Sequence, residues 1–184
     1  KVEKLKEILI EKNNQKQNKV IIFSTFIHTL EYLEKHLKSI GLRVGLVHGK
    51  IKENERTYQR QKFSLDKNEI DALDVMLSSE VGCEGLDFQF CDFLINYDIP
   101  WNPMRIEQRI GRIDRFGQKS DTVGILNFVT PGTIDADIYE RCLLRIGVFE
   151  QTIGAGEEIL GSITQEIQNI AQSFQLSIED RNKK

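Results

Sequence analysis

Five short apolar runs, separated by helical patterns or turns, limit what this chain can fold into. They lie at residues 19–23, 43–47, 74–77, 93–97 and 123–129. The first of them, Lys19-Val-Ile-Ile-Phe23, is nearly continuous in apolar side chains rather than alternating, as expected of a strand covered on both faces. Helical periodicity surrounds it. Residues 1–11 place Val2, Leu5, Ile8 and Leu9 on one side, and residues 27–40 place Leu30, Leu33 and Leu37 inside, with Gly41 as a stop. Residues 54–63 read as a helix charged on its outer side. This alternation predicts an α/β fold, a three-layer parallel sheet with helices on both faces. Ligands of such sheets bind beyond the carboxyl ends of the strands. The polar segments beginning near Ser24, Gly49, Ser78 and Asp98 each follow a strand, so they fall on one edge.

The pattern changes after Thr130-Pro131-Gly132. Helices are expected at residues 134–149 and 157–174, joined by the break Gly154-Ala155-Gly156. The expected organisation is one domain over residues 1–150 and a helical extension over residues 151–184 with a fraying end. The chain opens at Lys1 inside a charged helical pattern, which suggests a fragment of a larger protein.

Composition narrows the function classes. Hydrophobic residues at 40% and charged residues at 29% describe an ordinary globular chain. A net charge of −3 argues against a protein coated in positive charge, so any nucleic-acid contact must come from a local surface. Such a surface exists in residues 104–119, where five Lys and Arg face two acids. Cys83, Cys91 and Cys142 form no Cys-x-x-Cys pair, and His28, His36 and His48 show no ligand spacing. A disulfide scaffold or zinc site is therefore not expected, and a reducing cytoplasm fits. No apolar stretch reaches the ~20 residues of a membrane span, and no signal peptide is visible.

Chemistry concentrates in Gln108-Arg-Ile-Gly-Arg-Ile-Asp-Arg-Phe-Gly-Gln118. Arg109, Arg112 and Arg115 are clustered beside glycines, and guanidinium forks match phosphate oxygens and stabilise charge during phosphoryl transfer. On a continuous helix, Gln108, Arg112 and Arg115 would share one face, while Ile106, Ile110 and Ile113 sealed a core on the other; Gly111 is the point where such a helix would end or dent. The same periodicity also describes a surface helix with solvated arginines. Upstream, Ser78-Ser-Glu-Val-Gly-Cys-Glu-Gly-Leu-Asp-Phe88 follows a strand. Its hydroxyls and glycines allow a phosphate to approach the backbone, though a tight connection would use the same residues. In Asp98-Ile-Pro-Trp-Asn-Pro103, Trp101 suits either a packing anchor or a stacking platform.

In this order the motifs resemble the C-terminal RecA-like lobe of SWI/SNF-type superfamily-2 helicases and translocases, over residues 20–141. The resemblance implies that Arg112 and Arg115 are arginine fingers on the ATP γ-phosphate. It implies ATP contacts at Gly85, Asp87 and Gln108, with Asp87 toward the ribose. Ser24, Thr25, Gly49, Lys50, Ser78 and Ser79 would contact nucleic-acid phosphates. Thr130-Pro-Gly-Thr-Ile134 matches the family's strand-to-helix exit. Asp87 replaces an Asn common in eukaryotic members, and Gly111 and Asp114 stand where remodelling relatives carry Asp and His. These departures lean toward the bacterial branch, which contains the RNA-polymerase-associated ATPase. RNA polymerase thus joins double-stranded DNA as a candidate partner, at the bacterial nucleoid, with no membrane role. Beyond Gly147 the resemblance ends.

The chain contains no Gly-x-x-x-x-Gly-Lys-Ser/Thr loop and no Asp-Glu box for magnesium. Both belong to the first lobe of these motors, so ATP and Mg2+ would be held mainly there and the isolated chain would be inactive. The competing expectation is a non-catalytic nucleic-acid or protein-binding module derived from such a lobe. A dinucleotide enzyme is disfavoured, because no Gly-x-Gly-x-x-Gly follows the first strand.

Overall fold

All four residues of the first strand, Val20–Phe23 (β1), are buried, which requires cover on both faces. The computed structural model describes residues 1–100 and 102–133, together with 136 and 139. Five parallel strands form one sheet: β1, Val44–Val47 (β2), Val75–Ser78 (β3), Phe93–Asn96 (β4) and Gly124–Asn127 (β5). Their order is β2-β3-β1-β4-β5, so the first strand in sequence lies in the centre. The register sets Phe23 beside Ser78 on one side and Asn96 on the other.

Pleating divides the strand residues between two cores. Val20, Ile22, Val44, Val75, Leu77 and Ile95 face the helices Val2–Asn13 (α1) and Ile27–Lys38 (α2), which contribute Leu5, Leu9, Leu30, Leu33 and Leu37. Ile21, Phe23, Val47, Met76 and Leu94 face Phe63 of Glu53–Ser64 (α3), with Leu86, Phe88 and Ile113 from the loops. Phe63, Phe88 and Phe90 pack edge to face, their ring centroids 6.0, 5.5 and 6.2 Å apart. Each buried side chain of this size contributes about 1.5–3 kcal/mol, so the two faces together hold the sheet.

The expected three-layer sheet is present, with element ends displaced by a residue or two. Helix α2 stops at Lys38 rather than 40, and Gly41, at φ +84°, supplies the left-handed turn that ends it. Strand β5 is shorter than the apolar run suggested, because it lies at the sheet edge, where Ile125 is 39% exposed. A fourth helix, Pro103–Ile110 (α4), separates β4 from β5. Its first turn is capped by the Asn102 side chain, which accepts from the Met104 amide at 3.0 Å.

Residues Lys1–Asp98 and Glu107–Phe128 make one compact unit, which contains every candidate site residue; Ile99–Ile106 belongs to a second. Trp101, the expected helices at 134–149 and 157–174, and the boundary at 150 lie outside the described residues. Among the described residues no helix is long and apolar enough to cross a membrane.

Candidate functional site

The single helical face expected for Gln108, Arg112 and Arg115 does not form. Helix α4 ends at Ile110, and from Arg112 the chain tightens into i→i+3 bonds, Arg112 to Arg109 at 3.1 Å and Ile113 to Ile110 at 2.9 Å. Gly111 stands at that break, and the Phe88 amide then donates to the Arg112 carbonyl at 2.9 Å, fixing the turn against the loop after β3. Ile106 and Ile113 are buried as expected. Arg109, which the sequence grouped with the other arginines, is instead 1% exposed and turned inward. Gln108 is exposed on α4, apart from the arginines beyond the break.

Arg112 and Arg115 converge on Asp87. The Arg115 guanidinium donates directly to the Asp87 carboxylate, and the Arg112 guanidinium lies 4.0 Å from the same oxygen. All three side chains are partly exposed, at 26% for Arg112, 45% for Arg115 and 38% for Asp87. Two guanidinium forks against one carboxylate leave one net positive charge and several outward N–H donors, a composition suited to an anion such as a triphosphate. The loop that carries Asp87 is held from α3, where Arg60 Nε donates to the Asp87 carbonyl at 2.7 Å and Arg56 to the Val81 carbonyl at 3.1 Å. Gly85 turns that loop at φ +72°, with open space where a Cβ would stand. Among the described residues no group of three His, Cys, Asp or Glu could hold a metal ion.

The segments expected to face nucleic acid line the carboxyl edge of β1, β2 and β3. Thr25, Gly49 and Lys50 are exposed there. Ser24, Ser78 and Ser79 are buried, and their hydroxyls are engaged internally. Ser24 donates to Asp98, Ser78 donates to the Ser79 carbonyl at 2.9 Å, and Ser79 accepts from the Gly82 amide at 3.0 Å. These serines shape loops, whereas Thr25 and Lys50 present polar groups. The loops after β2 and β3 touch through the 3-10 turn Val81–Cys83, in which a Cβ on Gly82 would lie 2.4 Å from the Val47 carbonyl oxygen.

Arg109 organises this edge, together with Glu80 and Asn96, which the sequence did not single out. The Arg109 guanidinium donates to Glu80, to Asn96 Oδ1 at 2.8 Å and to the Asp98 carbonyl at 3.0 Å, and it stacks over the Phe23 ring. Asp98 in turn accepts from Ser24 and from the Thr25 amide at 2.9 Å. One signal was available: Arg109 lies three residues after Ile106 and four before Ile113, on the apolar stripe, where a charge must find a partner.

Residues 1–117 match the helicase conserved C-terminal domain family. Over 146 residues the chain is 38% identical to an uncharacterised ATP-dependent helicase, YqhH, of Bacillus subtilis, covering 79% of this chain and 25% of that protein. The RNA polymerase-associated protein RapA of Vibrio campbellii is 36% identical over 115 residues, 61% of this chain and 12% of RapA. The chain thus spans a quarter or less of these curated relatives. Among solved structures, the C-terminal part of the Fun30 ATPase domain superposes with a TM-score of 0.67 at 22% identity, over 92% of this chain and 53% of that one, a likeness of fold. The helicase domain of Hef from Pyrococcus furiosus superposes at 0.59 with 29% identity, over 76% of this chain and 28% of its own.

Proposed function

The chain belongs to the helicase conserved C-terminal domain family, and from that premise we propose that it is the second RecA-like lobe of a SWI/SNF-type ATPase acting on double-stranded DNA. Arg112 and Arg115 are its arginine fingers. The observation that carries this reading is their convergence on Asp87 at the edge of the sheet, half exposed and with positive charge in excess. ATP would supply the phosphoryl group, with its Mg2+ held mainly by the first lobe. Arg112 and Arg115 would hold the terminal phosphate oxygens, and Asp87 orients both forks until a phosphate competes for Arg115. Gly85 leaves the backbone approachable, while Gln108 on α4 is a candidate nucleotide contact from its exposed face.

Thr25, Gly49 and Lys50 would meet the DNA backbone directly, and the buried Ser24, Ser78 and Ser79 would contribute through the backbone of the loops they fix. Contacts of this kind carry little sequence information. RapA's name associates it with RNA polymerase, which makes RNA polymerase a proposed partner of the full-length protein at the nucleoid.

The test is ATP hydrolysis by the full-length protein, with and without double-stranded DNA, beside Arg112→Ala and Arg115→Ala. Loss of an arginine finger costs roughly 10³ to 10⁵ in turnover, and nucleotide affinity should be largely kept. Near-normal turnover in Arg112→Ala would sink the assignment. No turnover under any nucleic acid, with DNA still bound, would make the chain a binding module.

A further inference from the structure

We infer that Arg109 is a positioning residue that locks the DNA-facing loop after β1 and the finger-bearing turn after α4 into one mechanical unit; this rests on the function proposed above. Arg109 is almost wholly buried, and its guanidinium reaches three separate segments of the carboxyl edge. Nε and Nη2 bind the Glu80 carboxylate, directly after the loop serines of β3. Nη1 binds Asn96 of β4 and the Asp98 carbonyl. Nη2 also lies 3.5 Å from Thr25 Oγ1, on the exposed loop after β1.

Asp98 closes the network. Its carboxylate holds Ser24 and the Thr25 amide, and lies 3.9 Å from Arg109. Asn96 extends it to the sheet edge by donating to Asn127 of β5 at 2.7 Å. In the other direction, the Arg109 carbonyl accepts from the Arg112 amide at 3.1 Å, so the residue that anchors the network also begins the turn carrying the fingers. A guanidinium with five donors in a rigid fork can serve all these acceptors at once, which an ammonium cannot. With Arg109 buried and Glu80 only 20% exposed, loss of Glu80 leaves the buried guanidinium poorly compensated, so the segments cannot rearrange independently at low cost.

The experiment compares Arg109→Lys and Glu80→Gln with Asp74→Asn in the full-length protein, by hydrogen exchange and by ATP turnover. Asp74→Asn breaks an ion pair with Arg43 beyond the opposite ends of the strands and serves as the control for destabilisation alone. Both network variants should raise exchange about tenfold at the Thr25 and Phe26 amides and, together with these, at Arg112 to Asp114. They should also lower DNA-stimulated turnover about tenfold more than basal turnover, with the KM for ATP little changed. Asp74→Asn should raise exchange at these amides no more than elsewhere in the sheet and leave the ratio of stimulated to basal turnover unchanged. Faster exchange at only one of the two segments, or a ratio of stimulated to basal turnover no different from that of Asp74→Asn, overturns the inference. If the unmodified protein hydrolyses no ATP, the proposed function fails, and the paired exchange change alone decides the role of Arg109.

Discussion

Cys91 is buried between the end of the 83–91 loop and β4, and burial raises its thiol to about 12. The thiolate is the reactive form, so Cys91 should resist alkylation at pH 8 in the folded chain and react only on unfolding. Mass spectrometry after maleimide labelling, with and without urea, reads this directly. Asp74 shows the opposite balance. Burial works against its carboxylate, but the Arg43 side chain at 2.6 and 3.0 Å, the Arg43 amide at 3.1 Å and Asn18 at 2.8 Å outweigh it and lower its pKa. A carboxyl depressed in the folded state stabilises fully above its unfolded pKa, ~3.9, and that contribution is lost as pH falls through the folded value. Asp74→Asn should therefore cost about 2 kcal/mol at neutral pH, and the difference from the native chain should shrink in urea melts below about pH 4. The Arg43–Asp74 partnership was not legible beforehand, because residues 43 and 74 meet only once β2 and β3 pair. Arg109 was misjudged for a related reason: its residue type suggested a phosphate ligand, while its place on the apolar stripe called for a buried partner.

Among the elements, those with apolar runs were readable, as was the Gly41 stop after α2, but the turn at Gly111 was not. Strands β1 to β4 fall within a residue of their expected positions, since four consecutive apolar side chains have few other places to go. The turn after α4 depended on whether Gly111 ends a helix, and periodicity alone continues straight through it. The loop between Ser78 and Phe88 shows two glycines in separate roles. Gly85 needs a positive φ, whereas Gly82 needs room, with the Val47 carbonyl oxygen and the His48 Cα lying 2.4 and 2.6 Å from where its Cβ would stand. Both neighbours are backbone and cannot rotate away, so Gly82→Ala should destabilise by about 1–3 kcal/mol. Urea denaturation measures that loss, and an unchanged midpoint would mean that the loops after β2 and β3 are not packed as described.

For the whole molecule, the negative net charge would confine any attraction for a nucleic acid to a few exposed groups. If Lys50 contacts a phosphate, Lys50→Ala should reduce the slope of log affinity against log salt by about one, with no change in sequence preference. A fluorescence-anisotropy salt series on the full-length protein would show it; an unchanged slope removes Lys50 from the interface. The parallel sheet and the gathering of strand-following polar segments at its carboxyl edge were legible because buried strands and the loops after them leave marks in the sequence. Strand order was not, since nothing in an apolar run says which neighbour it will take.

That order shapes how the chain is made. The central strand β1 is synthesised first, but its neighbours are β3 and β4, and the partner Phe93 follows Val20 by more than seventy residues. At a translation rate of ~5–20 residues per second, β1 spends several seconds without its second neighbour. During that interval the emerging polypeptide carries a bare ribbon of Val, Ile and Phe, open to aggregation or to chaperones. Nascent chains halted before β4 should therefore be protease-sensitive, and protection should begin only once β4 has cleared the ribosomal tunnel.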